Sequence, residues 1–302
     1  MEMFDEKTLI AQREKSRKEK RSKELIPARM KIALEGFSSQ TDKFQIAPEF
    51  TVRRAQPEER QAFWSRVNIP NNVEQKATDN EFFAEFDFNI PRGAIRGFAP
   101  GNGIELISIF FSIGSASLLN VNRGNFYVLA GDKFRSAGFY TVANDFPFTQ
   151  KAQFTNSELN SLKLLWPHFR SQFDSNFNFS LVARRYFYSQ SRLSLEDKII
   201  DLMISLEALL IPEKSGTKGD KVATRLAQMI CQEYDRLDVE KLSLEAYRIR
   251  NNIIHGGHTQ FVEAFDIDLM SKYCRAAIQK YLIEYTGLKT KELIKALNGR
   301  TA

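Results

Sequence analysis

The chain has 302 residues, 43% hydrophobic and 26% charged, and its 43 Lys and Arg against 37 Asp and Glu give a formal charge of +6. That length can bury a sizeable core in one large domain or two ordinary ones, and the composition excludes a disordered chain. The mild positive excess is compatible with a polyanionic partner without demanding one, and only Cys231 and Cys274 occur, both in helical patterns, which argues against a disulfide framework or a cysteine metal site.

The first residues lack the basic-then-apolar order of a signal peptide, and the apolar run Ile104 to Ile113 is too short to span a bilayer. A soluble, cytoplasmic protein with no membrane partner is expected. Residues 1–45 are charged, with seven basic residues between Arg13 and Lys23 beside only Glu14 and Glu19, and read as a marginal helical tail plus linker. Residues 46–150 change to short aromatic and β-branched runs between Gly, Pro and Asn, the pattern of a strand-rich domain. Phe82 to Ile90, Ile104 to Ile113, Phe126 to Ala130 and Gly138 to Ala143 read as strands, and Pro57 to Val67 as a helix packed on the sheet. No internal repeat, Gly-rich phosphate loop or His/Cys/carboxylate cluster with metal spacing is visible, so neither cofactor nor metal is expected.

From residue 151 to 302 the apolar period is 3.6. A helix opens at Asn156-Ser157-Glu158 and is interrupted or ended by Pro167; an aromatic helix follows over Phe177 to Tyr188. Ser194 caps a strong amphipathic helix whose stripe is Ile199, Leu202, Met203, Leu206, Leu209 and Leu210. After the polar loop Glu213 to Asp220 come helices through Val222 to Ile230, Asp238 to His255 and about Phe261 to Tyr285. The fold class is therefore α+β: a strand-rich amino-terminal domain followed by an all-helical bundle.

The one stretch with evident chemistry is Arg250-Asn251-Asn252-Ile253-Ile254-His255-Gly256-Gly257 at a helix end. At about 100° per residue, Val239, Leu242, Ala246, Ile249 and Ile253 form the apolar stripe, with Arg250 at its edge. Asn251 and His255 share the opposite, polar side with Arg248. An Arg near a core cannot shed its proton and needs an anion, and Glu207, at the edge of its own apolar face, is the expected hydrogen-bond acceptor. His258 could add a second imidazole, Arg248 could hold a phosphate, and Tyr247 or Tyr273 could stack a base, although His258 reads first as a solvated loop residue, Arg248 looks the same as an ordinary solvent-facing Arg, and both tyrosines read first as core packing.

In combination, Ser205-Leu206-Glu207-Ala208-Leu209-Leu210, Arg225-Leu226-Ala227 and Tyr247 through Gly257 resemble the Apea-like branch of the HEPN superfamily over residues 195–285. The resemblance implies a helical bundle that forms a homodimer in which two Arg-x4-His helices meet. In active members it implies metal-independent RNA cleavage, with Arg250, Asn251 and His255 catalytic and Glu207 supporting. It also implies a setting in antiviral defence or a toxin system. A further reading is an inhibited enzyme whose cleft opens only when the amino-terminal domain senses an unknown trigger. The alternative is a non-catalytic HEPN module that dimerises or binds nucleotides or RNA while the amino-terminal domain senses something else.

Overall fold

Eleven residues, Leu25–Glu35, form the first strand (β1) in the computed structural model, which describes residues 23–35, 37–59, 82–91, 101–115, 120–130, 133–141, 152–212, 218–256 and 262–299. The chain is α+β and divides into two compact units, residues 1–107 with 120–154, and residues 108–119 with 155–302.

The first unit is built on β1, β2 (Phe37–Ser39), β3 (Lys43–Ala47), β4 (Phe50–Arg54), β5 (Phe82–Pro91), β6 (Asn120–Ala130), β7 (Lys133–Thr141) and β8 (Ala152–Phe154). Six of these make an antiparallel sheet in the order β3-β4-β5-β1-β6-β7, and β2 pairs in parallel with β8. The expected strands at Phe82 to Ile90 and Phe126 to Ala130 lie in β5 and β6; Gly138–Thr141 lies in β7, and residues 142 and 143 lie outside the described residues.

β1 corrects the reading of residues 1–45 as helical tail plus linker; residues 1–22 lie outside the described residues, but 25–35 is a central strand. Ile26, Ala28, Met30, Ile32 and Leu34 alternate along it and are buried. The intervening charges disguise that period in the sequence because their partners are distant in the chain. Arg29 stands opposite Asp87 and donates to its Oδ1 at 2.6 Å, while Lys31 stands opposite Glu85 at 3.2 Å.

Lys31, Arg53, Glu59 and Glu85 form one ionic cluster on this face of the sheet. Lys31 donates to Glu59 at 2.8 Å, and Arg53 donates to Glu59 at 2.7 Å and to Glu85 at 2.8 Å. The Arg53 hydrogen bond, opposed by burial and reinforced by Lys31, holds the Glu59 carboxyl down at about 2. A carboxyl depressed on folding stabilises above its ordinary value of 4.5, and that contribution disappears as the pH falls toward 2. Thermal midpoints measured from pH 5 downward are expected to drop through this window, and Glu59→Gln should drop less steeply.

The run Ile104 to Ile113, read as a strand, is part of the first described helix, α1 (Gly101–Gly114). Ile104, every residue from Leu106 to Phe111, and Ile113 are buried. Its polar residues Glu105, Ser108 and Ser112 recur at helical spacing, but both serines are buried among Ile, Leu and Phe, and that β-branched and aromatic content imitates a strand. Pro57 to Glu59 are helical, while the rest of the Pro57 to Val67 segment lies outside the described residues.

The second unit takes α1 from Ser108 onward and then α2 (Asn156–Ser175), α3 (Phe177–Ser191), α4 (Leu195–Leu210), α5 (Lys218–Ile230), α6 (Arg236–Ile254), α7 (Ile267–Glu284) and α8 (Thr290–Gly299). Thr155 caps α2 in a reciprocal box with Glu158. α2 continues through Pro167, contrary to the expected break. Proline removes one helical hydrogen bond at a cost of about 3 kcal/mol, but Leu165, Trp166 and Phe169 are fully buried here, with the Phe110 ring 4.9 Å from Trp166 and 5.3 Å from Phe169. Burying a single large apolar side chain is worth about 1.5–3 kcal/mol, so three of them outweigh the lost bond.

All six expected stripe residues of α4 are buried, and so is Asp201, held by Arg185 at 2.8 Å and Arg192 at 3.0 Å. α7 starts later than expected because Asp266 caps it, accepting from the Leu269 N–H at 2.9 Å; Phe261 lies outside the described residues. Gln279 and Arg275 on α7 donate to the carbonyls of Ile113 and Ser115 at 2.7 and 3.1 Å, closing the end of α1. Among the described residues no helix is long and apolar enough to cross a membrane.

Candidate active site

α6 starts where the Asp235 carboxylate accepts the N–H groups of Leu237 and Asp238 at 2.9 and 3.1 Å. Val239, Ser243, Ala246 and Ile249 are its buried face, and Leu242 and Ile253 are half-buried. Arg250 follows Ile249 at the margin of that face with its side chain 21% exposed. Its position is thus set by the apolar stripe, which presses the first part of the side chain against the bundle and leaves the guanidinium looking for an anion.

The anion within reach is Glu207 on α4, whose side chain is 15% exposed and whose Oε1 lies 3.6 Å from Arg250 Nη2. The contact is an ion pair and is longer than a hydrogen bond, which corrects the expectation that Glu207 accepts one from Arg250. Lys218, the first residue of α5, approaches the other carboxylate oxygen at 3.4 Å. Arg250 Nη1 donates to Asn251 Oδ1 at 3.0 Å, and its guanidinium sits 5.7 Å from the centre of the Tyr247 ring. Glu207 Oε1 and Arg250 Nε are sealed from solvent without a hydrogen-bond partner among the described residues. The neighbourhood is tight: a Cβ on Gly219 would come within 2.6 Å of the Tyr247 ring, so glycine lets α5 start beside it. Arg225 fixes the end of α4 by donating to the Leu210 carbonyl at 2.8 Å.

His255 caps the carboxyl end of α6; its backbone N–H donates to the Asn251 carbonyl at 3.0 Å and its side chain is exposed. Gly256 then turns the chain with φ +73, a conformation that favours glycine. Arg248 is exposed and, seven residues before His255, lies on nearly the same side of the helix. His258 and Gly257 lie outside the described residues.

The structure therefore brings Glu207, Arg250 and Asn251 together. His255 is not part of that group: five residues separate it from Arg250, roughly 140° around the axis and about 7.5 Å along it. Asn251 stands between the two: it accepts from Arg250, and it lies four residues before His255, about 40° from it around the helix, as the expected shared side requires. Of the aromatic residues weighed as base stackers, Tyr273 is buried and packs edge-on against Tyr234 at 4.8 Å, whereas Tyr247 is half-buried beside Arg250. Lys218 went unnoticed in the sequence; a lysine opening a helix after a polar loop carries no signal of which carboxylate it will meet.

Two other features do not join this group. Burial pushes the Cys274 thiol up to about 12, so it is no nucleophile at neutral pH. A cavity of about 830 Å³ between the start of α3 and the start of α8, with Phe179 and Tyr281 in its lining, includes none of the expected site residues. Among the described residues no group of three His, Cys, Asp or Glu could hold a metal ion. No protein-family model, curated protein or solved structure matches the chain.

Proposed function

We propose that the protein is a metal-independent endoribonuclease of HEPN type, acting in the cytoplasm as a homodimer, in antiviral defence or a toxin system. The observation that supports this most is the placement on one helix end of a partly buried Arg250 clasping Asn251, with His255 on the exposed side of the same helix. A second α6 helix meeting the first would supply the missing proximity between imidazole and guanidinium. In the proposed reaction one His255 takes the proton of a ribose 2′-OH as the 2′ oxygen attacks the adjacent phosphorus. The bond from phosphorus to the 5′ oxygen breaks, and the partner copy's imidazole protonates that oxygen, leaving a 2′,3′-cyclic phosphate and a 5′-hydroxyl. Arg250 neutralises the charge that builds on the phosphoryl oxygens, and Asn251 keeps its guanidinium in place. DNA, lacking the 2′-OH, is not a substrate.

One observation favours a second reading, a non-catalytic HEPN module that dimerises or binds RNA or nucleotides while the amino-terminal unit senses a signal. In the single chain Arg250 is engaged by Glu207 and Asn251 and separated from His255 around the helix. A DNA strand carrying a single ribonucleotide separates the two. Cleavage only at that ribonucleotide, leaving a cyclic phosphate end, is expected of the enzyme; binding without any cleavage, in a chain shown to be dimeric, supports the module.

A further inference from the structure

The other ion pairs among the described residues run from 2.6 Å for Arg29 with Asp87 to 3.2 Å for Lys31 with Glu85 and Arg236 with Glu240. The pairs around Glu207 are the longer ones. Its contacts to Lys218 and Arg250 are stretched to 3.4 and 3.6 Å, and Arg250 Nε has no partner among the described residues although it is shut off from water. An arginine presents five N–H donors and a lysine three, yet Arg250's one hydrogen bond among the described residues goes to Asn251. Two positive charges also face one carboxylate. The trio thus carries two positive charges against one negative at a partly exposed place, an arrangement that a further anion can enter.

We propose that Lys218 and Arg250 together bind a backbone phosphate of a single-stranded nucleic acid, with Glu207 as the resident counter-ion that the phosphate displaces in part. A tetrahedral phosphate offers acceptor oxygens to both cations at once, as the single carboxylate at these distances does not. The side chain of Lys218 is 36% exposed, so the phosphate approaches from its side, while the Tyr247 ring beneath the guanidinium keeps the plane of Arg250 oriented. A Cβ on Gly219 would come within 2.6 Å of the Tyr247 ring, so glycine lets the start of α5, where Lys218 stands, lie beside that ring. Lys218 is thus a binding residue for the strand, and Glu207 lowers the affinity that the two cations would otherwise have. The proposal takes the polymer from the ribonuclease reading, but the phosphate site itself does not require cleavage.

The test uses the full chain and a fluorescent single-stranded DNA oligonucleotide, which carries the phosphates and cannot be cut through a 2′-OH. Lys218→Gln is expected to weaken binding about fivefold and to reduce the slope of log affinity against log salt by about 0.7, while Lys218→Arg keeps both near wild type. Glu207→Gln is expected to bind about fivefold more tightly, an outcome that a purely structural Glu207 would not produce. Wild-type affinity and slope in Lys218→Gln, absence of DNA binding by the wild type, or a well-folded Glu207→Gln that binds no tighter overturns the site. The two lysine variants keep the test intact if Glu207→Gln does not fold. If RNA is cleaved in a His255-dependent way but Lys218→Gln binds normally, the phosphate site fails and the ribonuclease reading stands; Lys218-dependent DNA binding in a chain that cuts no RNA gives the reverse.

Discussion

Arg250→Ala is expected to lower the rate of RNA cleavage by about 10²- to 10³-fold, the range seen when one donor to a developing oxyanion is removed. In the proposed reaction the guanidinium holds a backbone phosphate and also meets the charge that builds on the phosphoryl oxygens as the 2′ oxygen attacks, so kcat should fall and KM should rise. Arg250→Lys keeps the charge but loses the planar fork that reaches Glu207, Asn251 and the phosphate together, and an intermediate loss of about tenfold is expected. Removing Arg250 also leaves Glu207 with Lys218 as its remaining cation among the described residues, at 3.4 Å. The folding cost should nevertheless stay near 1 kcal/mol, since the lost pair was long. A fall in activity far exceeding the change in urea midpoint separates a chemical role from a structural one. Equal rates in Arg250→Ala and wild type would remove Arg250 from the reaction.

Asp201→Ala is expected to destabilise the fold strongly. Asp201 is 2% exposed and receives Arg185 Nη1 at 2.8 Å and Arg192 Nε at 3.0 Å, tying α3 and the turn after it to α4. Deleting the carboxylate of a buried pair costs about 3–5 kcal/mol when the remaining charge stays buried. Here the arginine side chains are 36% and 46% exposed and can turn partly toward water. A loss of about 2–3 kcal/mol, read from urea unfolding at pH 7, is therefore expected. A loss below about 0.5 kcal/mol, the size typical of a surface substitution, would mean that the clamp is not formed in solution. Because Asp201 opens no route to the Arg250 group, folded Asp201→Ala should retain the cleavage rate of the wild type.

Helices with one wet face were legible in the sequence. α4 and α6 bury their stripes as the 3.6 period requires, and the same wheel places Arg250 at the margin where Glu207 can reach it. Two elements were hidden for opposite reasons. β1 carries Arg29 and Lys31 whose partners, Asp87 and Glu85, come from more than fifty residues away, so a paired strand looks like a charged tail. α1 buries even the serines of its short polar stripe, Ser108 and Ser112, so its Ile and Phe content masks the helical period. The site divides along the same line. Asn251 is next to Arg250 in the chain, and their contact is local; Lys218 reaches Glu207 only through the fold, and no spacing announces it. Asp201 likewise reads as an ordinary acid in an amphipathic helix until Arg185 and Arg192 close on it.

Cleavage of RNA in excess EDTA by wild type and His255→Ala tests most directly the proposed proton transfer by His255 in a reaction that needs no metal. The wild type is expected to cut at an undiminished rate after chelation, and the variant to lose about 10²- to 10⁴-fold, as when a general acid or base is removed. His255→Ala cutting as fast as wild type, or wild-type cleavage that stops with EDTA and returns with a divalent cation, would contradict it.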